Sequence, residues 1–376
     1  MSSFNCVSFQ DWYGIIHDQF FKKLNFDLYY VSDMYDRPPF YQVSSYTSDS
    51  KHSILFFDQE PIHPELLKLV VTNVENWYFT PGQRFFVTSE RSDTVNRYTQ
   101  GMNATNIYYF FHAIAANEWY HSYRWNRPTY TDHQHLYVTY NNLINPYRAH
   151  RIDLVSRLYN KNLISQGLVG FNCPTEEALV KTVSDCSWYG EASLAIFNQE
   201  KQNLRTLIVD TDDVTGFLSA SVDLDNSKQA FVQIVTETDF YKDKLHLTEK
   251  VFKPIVAGQP FLLLAGRGNL AYLREYGFKT FGDYWDEGYD TITDPGERVG
   301  AVVKIIEDLS NLTHTQQQNM RKDMQPIIEH NFNHLFFDVR QQVVAELTNN
   351  IAQALKSQDI AYDPADLREL YRLLVN

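Results

Sequence analysis

At 376 residues, 44% hydrophobic and 21% charged, the chain is long for one core and comfortable for two, and disorder is excluded as its default state. A formal net charge of −13 argues against nonspecific nucleic-acid binding, which draws its affinity from counterions released at phosphates. Cys6, Cys173 and Cys186 are too few and too scattered for a disulfide framework or a cysteine zinc site, and no apolar run approaches the roughly 20 residues of a membrane span.

The opening MSSFNCVSFQDWYG has neither a basic n-region nor an apolar h-region, so a cytoplasmic protein of a bacterium or a virus-infected cell is expected. Helical periodicity over Phe9–Lys23 and Glu65–Val74 alternates with strand-like runs at Asn25–Val31, Ser53–Phe57, Arg84–Thr88 and Asn106–Phe111. Each run leads into a polar residue: Asp33, Asp58 with Glu60, Glu90, and His112. In a parallel sheet these residues would share one edge, as an active site or merely as strand ends. Aromatics crowd this region, and the cluster Trp119-Tyr120-His121-Ser122-Tyr123-Arg124-Trp125 is too polar to be wholly buried. Stacking on a sugar or base would explain it and makes the first domain the expected acceptor side.

A second alternation begins near His135. LYVTYNN gives way to the helical pattern PYRAHRIDLVSRLYNKNL and the short strand GLVGFN; further strands are expected at Leu207–Val209, Phe231–Val235 and Phe261–Leu264, with a last helix over Val299–Leu309. Asn141, Arg148 and Arg151 fall at the first strand-to-helix turn, where an arginine fork suits a diphosphate. Val209-Asp210-Thr211-Asp212-Asp213 offers a rival, metal-binding reading, two hard carboxylates after a strand.

The polar tetrad Leu247-Thr248-Glu249-Lys250 separates two apolar strands and starts a helix. A lysine at a helix amino terminus favours an anion such as pyrophosphate, and the adjacent carboxylate accepts from a ribose diol. Glu237, ending the preceding strand, is a weaker partner. From His334 onward the pattern is helical only, with Val343, Val344, Leu347, Ile351 and Leu355 forming an apolar stripe.

The succession Thr236-Glu237-Thr238, then Thr248-Glu249-Lys250, then Ala257-Gly258-Gln259-Pro260 resembles the donor-binding motif of the α1,3-fucosyltransferases, and the continuation GFKTFGDYWDEGYD looks like glycosyltransferases of phages and marine bacteria. The resemblance implies an α/β fold with two Rossmann-like domains of the GT-B type and a C-terminal helical segment crossing back. The expected boundaries are 1–134 for the acceptor-side domain, 135–332 for the nucleotide-sugar domain and 333–376 for the helices. It implies an inverting transfer from a nucleotide-sugar co-substrate to an acceptor hydroxyl, with no metal or other cofactor. Asn141, Arg148, Arg151, Glu237, Thr248, Glu249 and Lys250 would bind the donor, with Arg151 preferred over Arg148. Glu60, or else Asp58, would be the catalytic base, with His52, His63 and His112 in reserve. The acceptor would be a glycan or glycoconjugate, with hydroxymethylated pyrimidines of phage DNA as the alternative. A noncatalytic protein that binds nucleotide sugars or glycans is the rival from another class.

Overall fold

The computed structural model describes residues 9–34, 41–46, 51–62, 82–125, 132–172, 175–209, 218–240 and 243–376. The chain forms two compact α/β units, Met1–Glu118 with Asp338–Asn376, and Trp119–Phe337. The dividing points thus fall at 118/119 and 337/338 rather than at 134/135 and 332/333. The aromatic segment after Glu118 belongs to the second unit, contrary to its expected place on the acceptor side. There the Tyr120 hydroxyl donates to the Ser219 carbonyl at 2.7 Å and the Arg124 guanidinium lies 4.3 Å over the Phe337 ring.

In the first unit, strands β1 (Phe26–Met34), β2 (Tyr41–Tyr46), β3 (His52–Phe57), β4 (Arg84–Thr88) and β5 (Thr105–Tyr108) stand in the order β2-β1-β3-β4-β5. All neighbours are parallel except β2, which pairs antiparallel with β1. The apolar runs of β3 and β4 are buried from their second residue onward, as strands covered on both faces must be. The expected strand Asn106–Phe111 ends at Tyr108, and Phe111 opens a helix to Trp119. His112 therefore sits on a helix, not at a strand end.

The C-terminal helices Val339–Ser357 and Pro364–Val375 complete this unit. Val343, Val344, Leu347, Ile351 and Leu355 are all fully buried. The Asn350 amide donates to the Tyr108 carbonyl at 2.7 Å, closing the end of β5. Lys23 pairs with Asp366 at 2.7 Å, and Arg340 binds the Glu118 carboxylate. Truncating one of the buried leucines to alanine costs about 2–5 kcal/mol, so the last residues are part of the core.

The second unit holds strands β6 (His135–Asn141), β7 (Gly167–Phe171), β8 (Ala230–Thr236) and β9 (Phe261–Leu264), all parallel, in the order β7-β6-β8-β9. The chain moves outward from β6 to β7, then returns to the other side of β6 to lay down β8. The reversal of strand order between β6 and β8 leaves a crevice at their carboxyl ends, where open α/β sheets bind ligands. Leu207–Val209 is not a strand; Leu207 makes an isolated antiparallel bridge to Phe171. The helix after β6 begins with a 3-10 turn, Pro146–Arg148, and runs over His150–Asn160. The late helix is longer than its apolar stripe suggested, Pro295–Ser310. Gly258, at φ 66°, ends the Phe252–Ala257 helix in the left-handed conformation that glycine adopts without steric cost and turns the chain into β9. Among the described residues no helix is long and apolar enough to cross a membrane.

Candidate functional site

The loop from β8 to the Phe252–Ala257 helix is lined with polar side chains that are nonetheless buried. Thr236, Glu237, Thr238, Asp239, Lys244, His246, Thr248 and Glu249 are each at most 6% exposed. Buried polar groups are costly unless they are hydrogen-bonded, and Glu237 shows how the loop satisfies them. Its backbone N–H donates to the Leu264 carbonyl at 3.0 Å, fixing it beside the end of β9. Its carboxylate accepts from the Thr248 hydroxyl at 2.6 Å, the Thr248 N–H at 3.2 Å and the Thr238 N–H at 3.3 Å. Glu237 and Thr248, eleven positions apart in the chain, are cinched together by this one side chain.

Thr248, so held, caps the next turn and anchors Lys250. The Lys250 ammonium donates to the Thr248 hydroxyl at 3.1 Å, the Thr238 hydroxyl at 3.3 Å and the Glu249 carboxylate at 3.1 Å. The Lys250 side chain is 30% exposed and that of Glu249 8%. A phosphate oxygen can displace neutral hydroxyls from an ammonium, because an ionised acceptor adds a Coulomb attraction that a neutral hydroxyl lacks. The expected helix-terminus contribution is small: Glu249–Val251 is a single 3-10 turn and the helix beyond it has six residues. Any anion held at this loop would therefore depend on the side-chain charges of Lys250 and its neighbours rather than on a macrodipole.

Across the strand reversal stands the β6 side. Asn141 ends β6 fully buried, donating to the Gly170 carbonyl at 3.1 Å and accepting from the Thr236 hydroxyl at 3.2 Å. It ties β7, β6 and β8 together. Arg151 is 3% exposed, and its two terminal nitrogens donate to the Leu143 carbonyl at 2.8 Å and the Thr236 carbonyl at 3.2 Å. Burial and then the Arg148 charge push its guanidinium pKa down, while Glu237 and Glu249 push it back up. Arg151 is thus a brace between strand ends with carboxylates nearby, and half-buried Arg148 is the more accessible of the two cations. His150, wholly buried and stacked on Phe240 at 4.6 Å, is held well below the ordinary imidazole pKa by burial, then by Arg151 and Arg148. It is neutral at physiological pH.

Several contributors were not read from the sequence. Lys244 and Asp239 form a buried ion pair at 3.2 Å. Arg298 is almost fully buried, donating to the Phe240 and Ala265 carbonyls at 2.8 Å and to Ile292 at 3.1 Å, with its guanidinium 4.8 Å over the Phe240 ring. It binds the loops after β8 and β9 to one helix. Its place on the stripe shared with Val302, Ile305 and Leu309 could have shown that it faces inward, though not what it binds. Tyr120 is buried, and burial followed by the charge of Glu249 raises its phenol well above the ordinary value.

In the first unit the turn after β3 is differently made. Asp58 is 1% exposed and accepts from the Tyr13 hydroxyl at 2.7 Å and from the Tyr109 hydroxyl. Burial raises its carboxyl to about 6, against the opposing pull of the two phenols. Glu60, two residues on, is half-buried. Glu90 is buried and structural: it accepts from the Ile62 N–H at 2.7 Å and from the Ser92 hydroxyl, fastening the turn to the end of β4. His52 begins β3, at the other edge of the sheet from Asp58, and its Nδ1 accepts from the Gln83 N–H at 2.9 Å. His112 is buried on its helix. His52 thus stands at the wrong end of β3 for its reserve role. His63, Asp210, Asp212 and the expected helix Glu65–Val74 lie outside the described residues, as does the Asp33 side chain.

Compared with protein-family models, curated proteins and solved structures, the chain matches none.

Proposed function

We propose that the chain is a glycosyltransferase with two Rossmann-like domains of the GT-B type, transferring a sugar with inversion from a nucleotide-sugar donor to a hydroxyl of a glycan or glycoconjugate. One observation carries this reading. At the strand-order reversal of the second unit, Glu237 and Thr248 hold Lys250 and Glu249 side by side at the carboxyl end of β8, with Arg148 and Arg151 at the start of the helix after β6. That combination suits a nucleoside diphosphate: cations for the phosphates, a carboxylate for the ribose diol.

Lys250 and Arg148 stabilise the charge on the departing diphosphate, and Arg151 keeps the strand ends in register beneath them. Charge compensation by fixed side chains makes transfer independent of added divalent metal. Glu60 is the proposed base. Both oxygens of Asp58 are already engaged by phenols and the group is out of solvent, so it shapes the turn on which Glu60 stands.

The test is a thermal-shift screen of nucleotides and nucleotide sugars, followed by transfer assays on glycan acceptors and on duplexes containing hydroxymethylated pyrimidines. A ligand that binds only the folded chain raises its apparent stability. Stabilisation by a nucleoside diphosphate and its sugar, with transfer to a glycan, is the expected result. Stabilisation without transfer to any acceptor would reduce the protein to a nucleotide-sugar binder. No stabilisation by any nucleotide would sink the donor-site reading.

A further inference from the structure

At the opposite end of the second sheet, where β6 and β8 begin, two imidazoles and a carboxylate converge. Asp132 and His133 lie just before β6, separated from it by Gln134, and His314 opens the helix His314–Asp323. One ligand atom from each lies within 4.8 Å of the others. The rings of His133 and His314 are 4.6 Å apart, and the Asp132 carboxylate is 2.8 Å from His314 Nε2. We propose that Asp132, His133 and His314 bind a divalent transition-metal ion, zinc(II) by the ligand chemistry, at a site distinct from the donor loop.

The donor set is what a borderline metal prefers, two imidazole nitrogens and one carboxylate oxygen, with a water completing four-coordination. Zinc bonds of about 2.0–2.2 Å in a tetrahedron place ligand atoms about 3.4 Å apart. The Asp132–His314 contact must therefore open slightly and the widest separation must close. Both movements fall on side chains half or more exposed, Asp132 at 64% and His314 at 50%. His133, by contrast, is 5% exposed and fixed, packing against Phe231 of β8.

An outer shell sets the buried ligand's tautomer. Gln317 donates its amide N–H to the Leu309 carbonyl at 2.9 Å, which leaves its amide oxygen facing His133 Nε2 at 2.8 Å. A carbonyl oxygen can only accept, so Nε2 is the donor nitrogen of His133 and Nδ1 carries the ring's lone pair. Metal-ligating histidines are held in this way, one nitrogen donating to a carbonyl or carboxylate and the other on the metal. Gln318 does the corresponding service for the carboxylate, donating to Asp132 at 2.8 Å. The ion would tie the segment entering β6 to the helix His314–Asp323, linking parts of the chain about 180 residues apart.

Cobalt(II) titration of the purified full-length chain tests this, because a cobalt ion held by nitrogen and oxygen ligands absorbs in the visible range. A band that saturates at a single equivalent and is displaced by zinc, but not by magnesium, is expected. His314→Ala and Asp132→Asn, both at exposed positions, should each weaken cobalt affinity by at least about 10- to 100-fold, the loss that removal of outer-shell partners alone produces. His121→Ala, at an exposed histidine elsewhere in the same unit, should leave it unchanged. No band at millimolar cobalt, or the same affinity in all three variants, would overturn the site. Nucleotide binding is not part of the readout, so the result stands whatever becomes of the glycosyltransferase reading.

Discussion

The turn after β3 and the loop after β8 occupy equivalent places, each at the carboxyl end of an inner parallel strand, and each begins with a buried acid. Asp58 takes its hydrogen bonds from two phenols, one on the helix Phe9–Gln19 and one just beyond β5, so it welds separate elements of its unit. Glu237 takes its bonds from its own loop, from Thr238 and Thr248, and so folds a stretch of backbone into a fixed shape. In both cases the buried carboxylate is framework. On the proposed glycosyltransferase reading, the acting group is instead a neighbour on the same turn or loop: Glu60 in the first unit, Lys250 in the second. A strand-end acid is thus no guide to catalysis until its hydrogen bonds have been traced.

The comparison can be broken at Glu60. Glu60→Gln should lower turnover by roughly 10²–10⁴-fold and leave nucleotide affinity intact, the range for loss of a general base. Asp58→Asn, measured with the same acceptor, should lose far less turnover. Equal losses would return the base role to Asp58.

Glu237→Ala should destabilise the second unit by about 3 kcal/mol or more, since three buried donors lose their acceptor at once. Urea unfolding would show it as a fall in midpoint. Glu237→Gln keeps an acceptor oxygen and should recover part of the loss. If alanine is tolerated without cost, the loop is not held by this side chain.

A subtler contrast is pH dependence. Folding raises the Asp58 carboxyl to about 6 from an ordinary value near 3.8, so the folded chain retains a proton that the unfolded chain has released. The stability tied to that proton is full below about pH 4, declines as pH rises through the window to about 6, and is absent above it. The difference is about 3 kcal/mol for a shift of roughly two units. Asp58→Asn should flatten that decline, visible as a shrinking difference between variant and parent midpoints toward pH 4. An unchanged profile would mean that Asp58 is ionised across the range.

Much of this was legible in the sequence because burial on both faces leaves a plain record. The runs ILFF, FFVT, FVQIV and FLLL are strands, and the stripe from Val343 to Leu355 is a helix face. Thr248-Glu249-Lys250 was legible as a polar interruption between two such runs. What escaped has physical reasons. β2 reads YQVSSY, too polar to signal a strand, because an edge needs only one covered side. The aromatic run Tyr108–Phe111 has no period with which to choose between strand and helix, so His112 was misplaced. Tyr13 and Tyr109 lie 45 and 51 residues from Asp58, and Arg298 spends its charge on backbone carbonyls; no local pattern announces such pairings. The carbonyl partners of Arg151 are hidden from the sequence for the same reason, being set by tertiary structure.

The donor loop itself is tested most directly by calorimetric titration of the parent chain and Lys250→Ala with a nucleoside diphosphate and with the matching nucleoside. Loss of one charge-assisted hydrogen bond, about 1.5–3 kcal/mol, should weaken the diphosphate roughly 10- to 150-fold and leave the nucleoside nearly unaffected. Equal weakening of both ligands, or of neither, would contradict a phosphate contact at Lys250 and with it the assignment of the β8 loop as the donor site.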